Sequence, residues 1–164
     1  MSMFCYQCQE AARGVGCTVR GVCGKNEEVA KLQDLLMYAL GGVACVVREA
    51  GLDANDIGEV NRQVLNSLFM TITNANFDDG ALDRQIVRML NLRDGLKKKA
   101  GVTPAHDAAV FSVEGRQAML EKAAAVGVLA TENEDIRSLR QMILYGLKGM
   151  AAYAEHALNL GKED

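Results

Sequence analysis

The chain has 164 residues, enough for one domain or two small ones with a proper core. Its 49% hydrophobic and 24% charged residues are an ordinary balance for a soluble globular protein. A formal net charge of −3 leaves no basic excess for broad phosphate contact, which argues against a nucleic-acid partner.

The N-terminus, MSMFCYQC, has no basic n-region and no apolar h-region, so no secretory signal is read there. Met1-Ser2 ahead of Met3 reads either as a cloning scar or as natural sequence. Four of the 5 cysteines follow at once, as Cys5, Cys8, Cys17 and Cys23. Gly24-Lys25-Asn26 then stops this segment, and Asn26 is a candidate N-cap with Glu27 and Glu28 in the first turn, where the helix dipole favours acids. Val29, Leu32, Leu36, Leu40 and Val43 recur at helical spacing, and Gly51 is the expected stop. The longest uncharged run, Leu35 to Val47, is too short to cross a bilayer and suits a buried helix. No membrane partner is expected, and the location read is the cytoplasm, where thiols stay reduced.

A second helix is expected from about Asp56 to Asn74, with Val60, Val64, Leu68 and Ile72 on one stripe. Asp78 and Asp79 open a third, carrying Leu82, Ile86, Met89 and Leu90 and ending near Gly101. Residues 101–113, with the single Pro104, read as a loop, and a shorter helix carries Met119 to Val126. Thr131 and Glu134 read as a capping box opening a last helix that reaches about Leu160. The fold class is therefore all-α. A cysteine-rich loop spans 1–25, a first three-helix bundle 26–101, and a loop with a short helix 102–130; the first helix of a second bundle spans 131–164.

That second bundle is read from a repeat. NEEVAKLQDLLMYALGGVA (Asn26–Ala44) matches NEDIRSLRQMILYGLKGMA (Asn133–Ala151) without a gap, with seven identities in register. Gly42 and Gly149 fall mid-helix, where glycine costs roughly 0.5–1 kcal/mol unless another backbone packs closely. The second copy has no room for partner helices before Asp164, so the chain reads as cut short.

The cysteine spacing is C-x2-C-x8-C-x5-C. A C-x2-C pair lets two sulfurs from one turn grip one metal centre. Four thiolates satisfy a tetrahedral zinc or a cubane iron–sulfur cluster. Gly14, Gly16, Gly21 and Gly24 suit the looser wrap of a larger object, and Arg13, Arg20 and Lys25 are available to offset its negative charge. The spacing is not the bacterial ferredoxin run, so iron–sulfur, structural zinc and disulfides all remain open from spacing alone.

FCYQCQEAARGVGCTVRGVCGK, TITNANFDD (Thr71–Asp79) and GVLATENEDIRSLRQMILYGLKGMAAYAEHA (Gly127–Ala157) resemble the hybrid cluster protein family, also called prismane proteins or hydroxylamine reductases. The resemblance implies that Cys5, Cys8, Cys17 and Cys23 hold the family's N-terminal cubane, in its [4Fe–4S] form, and that two three-helix bundles make up the first domain. It also implies electron transfer for the reduction of hydroxylamine, and of nitric oxide, fed by a redox donor protein. The hybrid iron–sulfur–oxygen cluster at which members do this takes ligands from later domains. No catalytic residue is carried over to this chain, which alone is expected to be inactive. The alternative is a helical interaction domain stapled by structural zinc. Ile136, Leu139, Ile143, Leu147 and Met150 form an apolar stripe on the last helix, which is expected to pair with a second copy as a homodimer or a swap; the alternative is that it folds back on the first bundle, covered by the Met119–Val126 helix.

The remaining candidates have plain structural readings. Cys45 reads as a buried free thiol, and His106 as a solvated loop residue. His156 reads as a surface or capping histidine, since its neighbour Glu155 is not at the Glu-x-x-His spacing of a di-iron bundle. Lys97-Lys98-Lys99 reads as a solvated helix end, and Tyr38 and Tyr145 as equivalent packing residues of the repeat.

Overall fold

The computed structural model describes residues 2–72 and 74–162. Met1, and Thr73 within the Thr71–Asp79 stretch, lie outside them, as do the last two residues. Six α-helices account for the regular structure of the described residues: α1 Glu27–Glu49, α2 Gly58–Met70, α3 Asp79–Ala100, α4 Asp107–Val110, α5 Gly115–Val126 and α6 Glu134–Asn159. The all-α expectation holds. One isolated antiparallel bridge, Cys5 with Cys17, lies in the N-terminal loop.

The central helix starts as its sequence dictates. Asn26 Oδ1 accepts from Val29 N–H at 2.8 Å, and Glu27 and Glu28 occupy the first turn. Its stripe of Val29, Leu32, Leu36, Leu40 and Val43 is buried throughout. By length and composition α1 could span a membrane, which the uncharged run alone did not suggest; 61% of that window is instead buried inside the protein. The cover over α1 comes chiefly from α3, α4 and α5, while α2 packs against α6. Leu82, Ile86, Met89, Phe111, Met119 and Ala123 complete the core. Arg116 of α5 joins Glu28 (2.8 Å), Asp79 (2.6 Å) and Asp83 (2.5 Å), tying α5 to α1 and α3.

Several boundaries differ from expectation for local reasons. Asp53 Oδ1 caps a 3-10 turn, Ala54–Ile57, before α2, and α2 ends at Met70 rather than continuing to Asn74. α5 begins at Gly115, one turn before Met119. The cap of α6 is Asn133, whose Oδ1 accepts from Ile136 N–H at 3.0 Å; Thr131 forms no capping box and instead accepts from Arg137 and Arg140. Both copies of the repeat thus start from the same asparagine cap. α3 begins and ends as read, with Asp78 as cap and Gly101 closing it in the left-handed region.

The loop 101–113 is more ordered than its composition suggests. His106, though exposed, caps α4 by accepting from Ala108 N–H at 3.1 Å through Nδ1. Arg93, only 1% exposed, donates to the carbonyls of Ala108 (2.9 Å) and Phe111 (2.8 Å). Lys97 donates to Ala109 O at 2.8 Å, so of the three lysines only Lys98 and Lys99 are the expected exposed tail. Gly42 admits this loop: a Cβ there would lie 2.0 Å from Ala108 O. Its repeat counterpart Gly149 has open space around it.

Candidate functional site

Backbone hydrogen bonds position the loop cysteines, and Cys17, with Cys5 beside it, also packs in a small apolar cluster with Met3 and Ala30. Cys5 N–H donates to Cys17 O (3.0 Å) and Cys17 N–H to Cys5 O (2.8 Å), which sets the two residues side by side. Ala12 N–H, at the start of a 3-10 turn, donates to Cys17 Sγ at 3.4 Å. Gly21 N–H donates to Lys25 O (2.8 Å) and Gly24 N–H to Gly21 O (2.8 Å), a tight turn that carries Cys23. Gly24 sits at φ +95°, open to glycine alone at little cost, and a Cβ on Gly21 would press on Cys23 Sγ at 3.1 Å. Cys17 is buried, Cys5 and Cys8 are half-buried, and Cys23 is exposed; all are free thiols.

Below Cys5 lies a set of buried charges. Lys25 is 2% exposed, with Nζ 2.6 Å from Gln33 Oε1 and 3.9 Å from Cys5 Sγ. Of the three cations expected near the thiols, only Lys25 reaches one; Arg13 and Arg20 are exposed, and Arg20 is bonded to Gly24 O. Lys148 of α6 is 3% exposed and donates to Gln7 Oε1 (2.9 Å) and Thr71 O (3.1 Å). Burial lowers its pKa to about 8. Asp34 of α1 accepts from Val128 N–H at 3.4 Å, and burial raises its pKa to about 6 against the pull of Lys148 and Lys25. Neither Lys148 nor Asp34 was singled out from sequence. The available signal was Lys148 itself, which stands where the first copy of the repeat has the exposed Gly41.

A groove of about 360 Å³ runs between residues 6–9 and α6, lined by Tyr6, Gln7, Cys8, Met142, Tyr145 and Lys148 among others. Tyr6 Oη is buried without a hydrogen-bond partner. Tyr145 is exposed, unlike Tyr38, which donates to Asp107 Oδ2 at 2.7 Å and packs on Phe111. Cys45 is half-buried, not buried as expected, and lies about 28 Å along α1 from its cap. His156 is exposed and meets the Phe69 ring edge-on.

Among the described residues no three His, Cys, Asp or Glu side chains gather closely enough to hold one metal ion. A loop of free thiols, a backbone N–H on one sulfur, a glycine cradle beside another and a buried cation at a third together fit an anionic group with thiolate ligands.

Comparison with known proteins gives a consistent picture. The model of the Prismane/CO dehydrogenase family matches residues 3–164. The chain is 66% identical over 164 residues to the hydroxylamine reductase of Acetivibrio thermocellus, covering all of this chain and 30% of that protein. It is 53% identical over 173 residues to that of Desulfitobacterium hafniense strain Y51, covering 100% of this chain and 31% of that protein. With the enzyme of Clostridium perfringens the identity is 52% over 170 residues, covering 99% and 31%. The chain thus spans about 30% of the length of the curated relatives it matches.

Proposed function

The chain belongs to the Prismane/CO dehydrogenase family, whose members use iron–sulfur cofactors, and we propose that its N-terminal loop carries a [4Fe–4S] cluster on Cys5, Cys8, Cys17 and Cys23. On this reading it is the electron-transfer part of a longer enzyme that reduces hydroxylamine, and nitric oxide as a further substrate. The name hydroxylamine reductase carried by these relatives supports the activity. The observation that carries the cluster assignment is the buried Lys25 ammonium 3.9 Å from Cys5 Sγ, in a loop whose thiols are all free. A buried cation needs a counter-charge, and thiolate ligands supply one.

When bound, the cluster supplies one-electron transfer. The residues of the chain hold and shield it. The Cys5–Cys17 bridge fixes two ligands, Ala12 N–H bonds one sulfur, and the turn 21–25 presents Cys23. Four cysteine ligands leave no position for a substrate, so N–O bond reduction belongs to a hybrid cluster held by parts of the enzyme outside this chain. We place the enzyme in the cytoplasm, served by a redox donor protein.

Iron, sulfide and zinc analysis of anaerobically purified protein tests this. About four iron and four sulfide per chain, with visible sulfide-to-iron absorbance, is the expected result. Stoichiometric zinc without sulfide overturns it.

A further inference from the structure

The charges below Cys5 do not balance. Lys25 and Lys148 are two buried ammonium groups, and the carboxylate that acts on both is Asp34. Lys25, Asp34 and Gln33 line one small cavity with Cys5. Lys25 and Lys148 each lower the pKa of Asp34, and Lys25 opposes the charging of Lys148. With neutral thiols this region holds one positive charge in excess, which burial strongly disfavours. The neutral partners Gln7, Gln33 and Thr71 O orient the ammonium groups but do not neutralise them.

Helix packing does not require Lys148. The same register position in α1 is Gly41, exposed, in a helix that packs well without a lysine there. Lys148 comes from α6, 141 residues away in sequence from the Gln7 that it bonds, yet it is directed under the N-terminal loop. Only two side chains of α6 are buried among the described residues, Lys148 and Ala151. On this helix Leu139, Ile143 and Leu147 are exposed while Lys148 is buried.

We propose that Lys25 and Lys148 form a fixed positive wall behind the Cys5 side of the cluster, and that Lys148 sets the cluster's reduction potential from α6. Reduction adds one electron to an already anionic group, so a nearby cation favours the reduced state and raises the potential, and a nearby carboxylate lowers it. Lys148 is a positioning residue in this scheme: it acts through its field and through Gln7, without touching a ligand. The inference rests on the cluster assignment above.

The test is a redox titration of the anaerobically reconstituted chain at pH 7, followed by electron paramagnetic resonance, after iron and sulfide content has been measured. Lys148→Met should lower the midpoint potential by the equivalent of a tenfold change in the reduced-to-oxidised ratio, 59 mV for one electron. Lys148→Arg should restore it. Asp34→Asn should raise it, and this second variant carries the test should Lys148→Met fold poorly. Shifts of opposite sign in the two charge variants support the proposal. No shift, or shifts of the same sign, in cluster-loaded protein overturn it alone. Wild-type protein that takes up no iron overturns the cluster assignment and this inference with it.

Discussion

Gly42 and Ala108 are in backbone contact: a Cβ added to Gly42 would sit 2.0 Å from the Ala108 carbonyl oxygen. The loop backbone cannot move aside easily, because Arg93 holds the same carbonyl at 2.9 Å. Gly42→Ala should therefore destabilise the chain by about 1–3 kcal/mol or more, as overpacking does. Gly149→Ala, at the equivalent position of the repeat, meets no atom within 4 Å. It should stabilise by roughly 0.5–1 kcal/mol through helix propensity. Urea denaturation of the two variants side by side checks the pair, and equal effects would refute the close-approach argument.

Arg93→Met should cost about 3–5 kcal/mol. It leaves the buried carbonyls of Ala108 and Phe111 without their donor and removes the guanidinium stacked 5.1 Å from the Phe111 ring. The adjacent pair with the half-exposed Asp94 adds little. Arg93→Lys should recover only part, since one ammonium cannot serve both carbonyls in the same fork. Hydrogen exchange should accelerate across 107–113 in both variants, and full protection there in Arg93→Met would contradict this role.

The raised pKa of Asp34 gives a signed pH dependence. Its carboxyl titrates near 6 when folded, against 3.8 as the ordinary value, so the folded state holds the proton more tightly. Its ionisation therefore opposes folding, and stability contributed at this site falls as pH rises from about 4 to 6. At 1.36 kcal/mol per unit the total is on the order of 2–3 kcal/mol. The stability of the wild-type apo chain minus that of Asp34→Asn should fall over this window and be flat above it. A difference that rises with pH between 4 and 6 would reverse the assignment.

The exposed face of α6 predicts self-association of the isolated chain. Met142 and Ile143 are 71% and 66% exposed, while their counterparts Leu35 and Leu36 in α1 are fully buried. Burying one such side chain is worth roughly 1.5–3 kcal/mol, and Ile136, Leu139, Leu147, Met150 and Tyr153 extend the same face. A second copy offers a self-complementary cover by two-fold pairing of α6. Light scattering after size exclusion should give a dimer at micromolar concentration, and Ile143→Glu should give a monomer. A wild-type monomer whose solubility Ile143→Glu leaves unchanged rules the pairing out.

Substitution of the cysteines one at a time tests which of them bind the cluster. Alanine at Cys5, Cys8, Cys17 or Cys23 should reduce iron occupancy sharply, and Cys45→Ala should leave it intact. Hydroxylamine turnover by the loaded chain should not exceed that of a variant lacking all four loop thiols. Retained iron in Cys17→Ala together with loss in Cys45→Ala would move the site.

The amino-acid sequence by itself determined the helices, because their signals are local. Asn26 and Asp78 cap through their own first turns, Gly101 ends α3 in a left-handed conformation, and the stripe from Val29 to Val43 has a period that only a helix buries. The C-x2-C-x8-C-x5-C spacing was legible too, and it names the four candidate ligands. Even the cap of α6 was readable, for the repeat pointed to Asn133 while the Thr131–Glu134 pattern misled. What tertiary structure alone decided is which long-range partners meet. Nothing near Arg93 in sequence shows that it will hold two carbonyls of a loop 15 to 18 residues on. Nothing near Lys148 shows that its ammonium will lie under Cys5 beside Lys25 and Asp34, bonded to a glutamine 141 residues away. Caps and periodicity act over one to a few turns. The burial of a charge depends on which surfaces the chain brings together, and that is settled only when the helices pack.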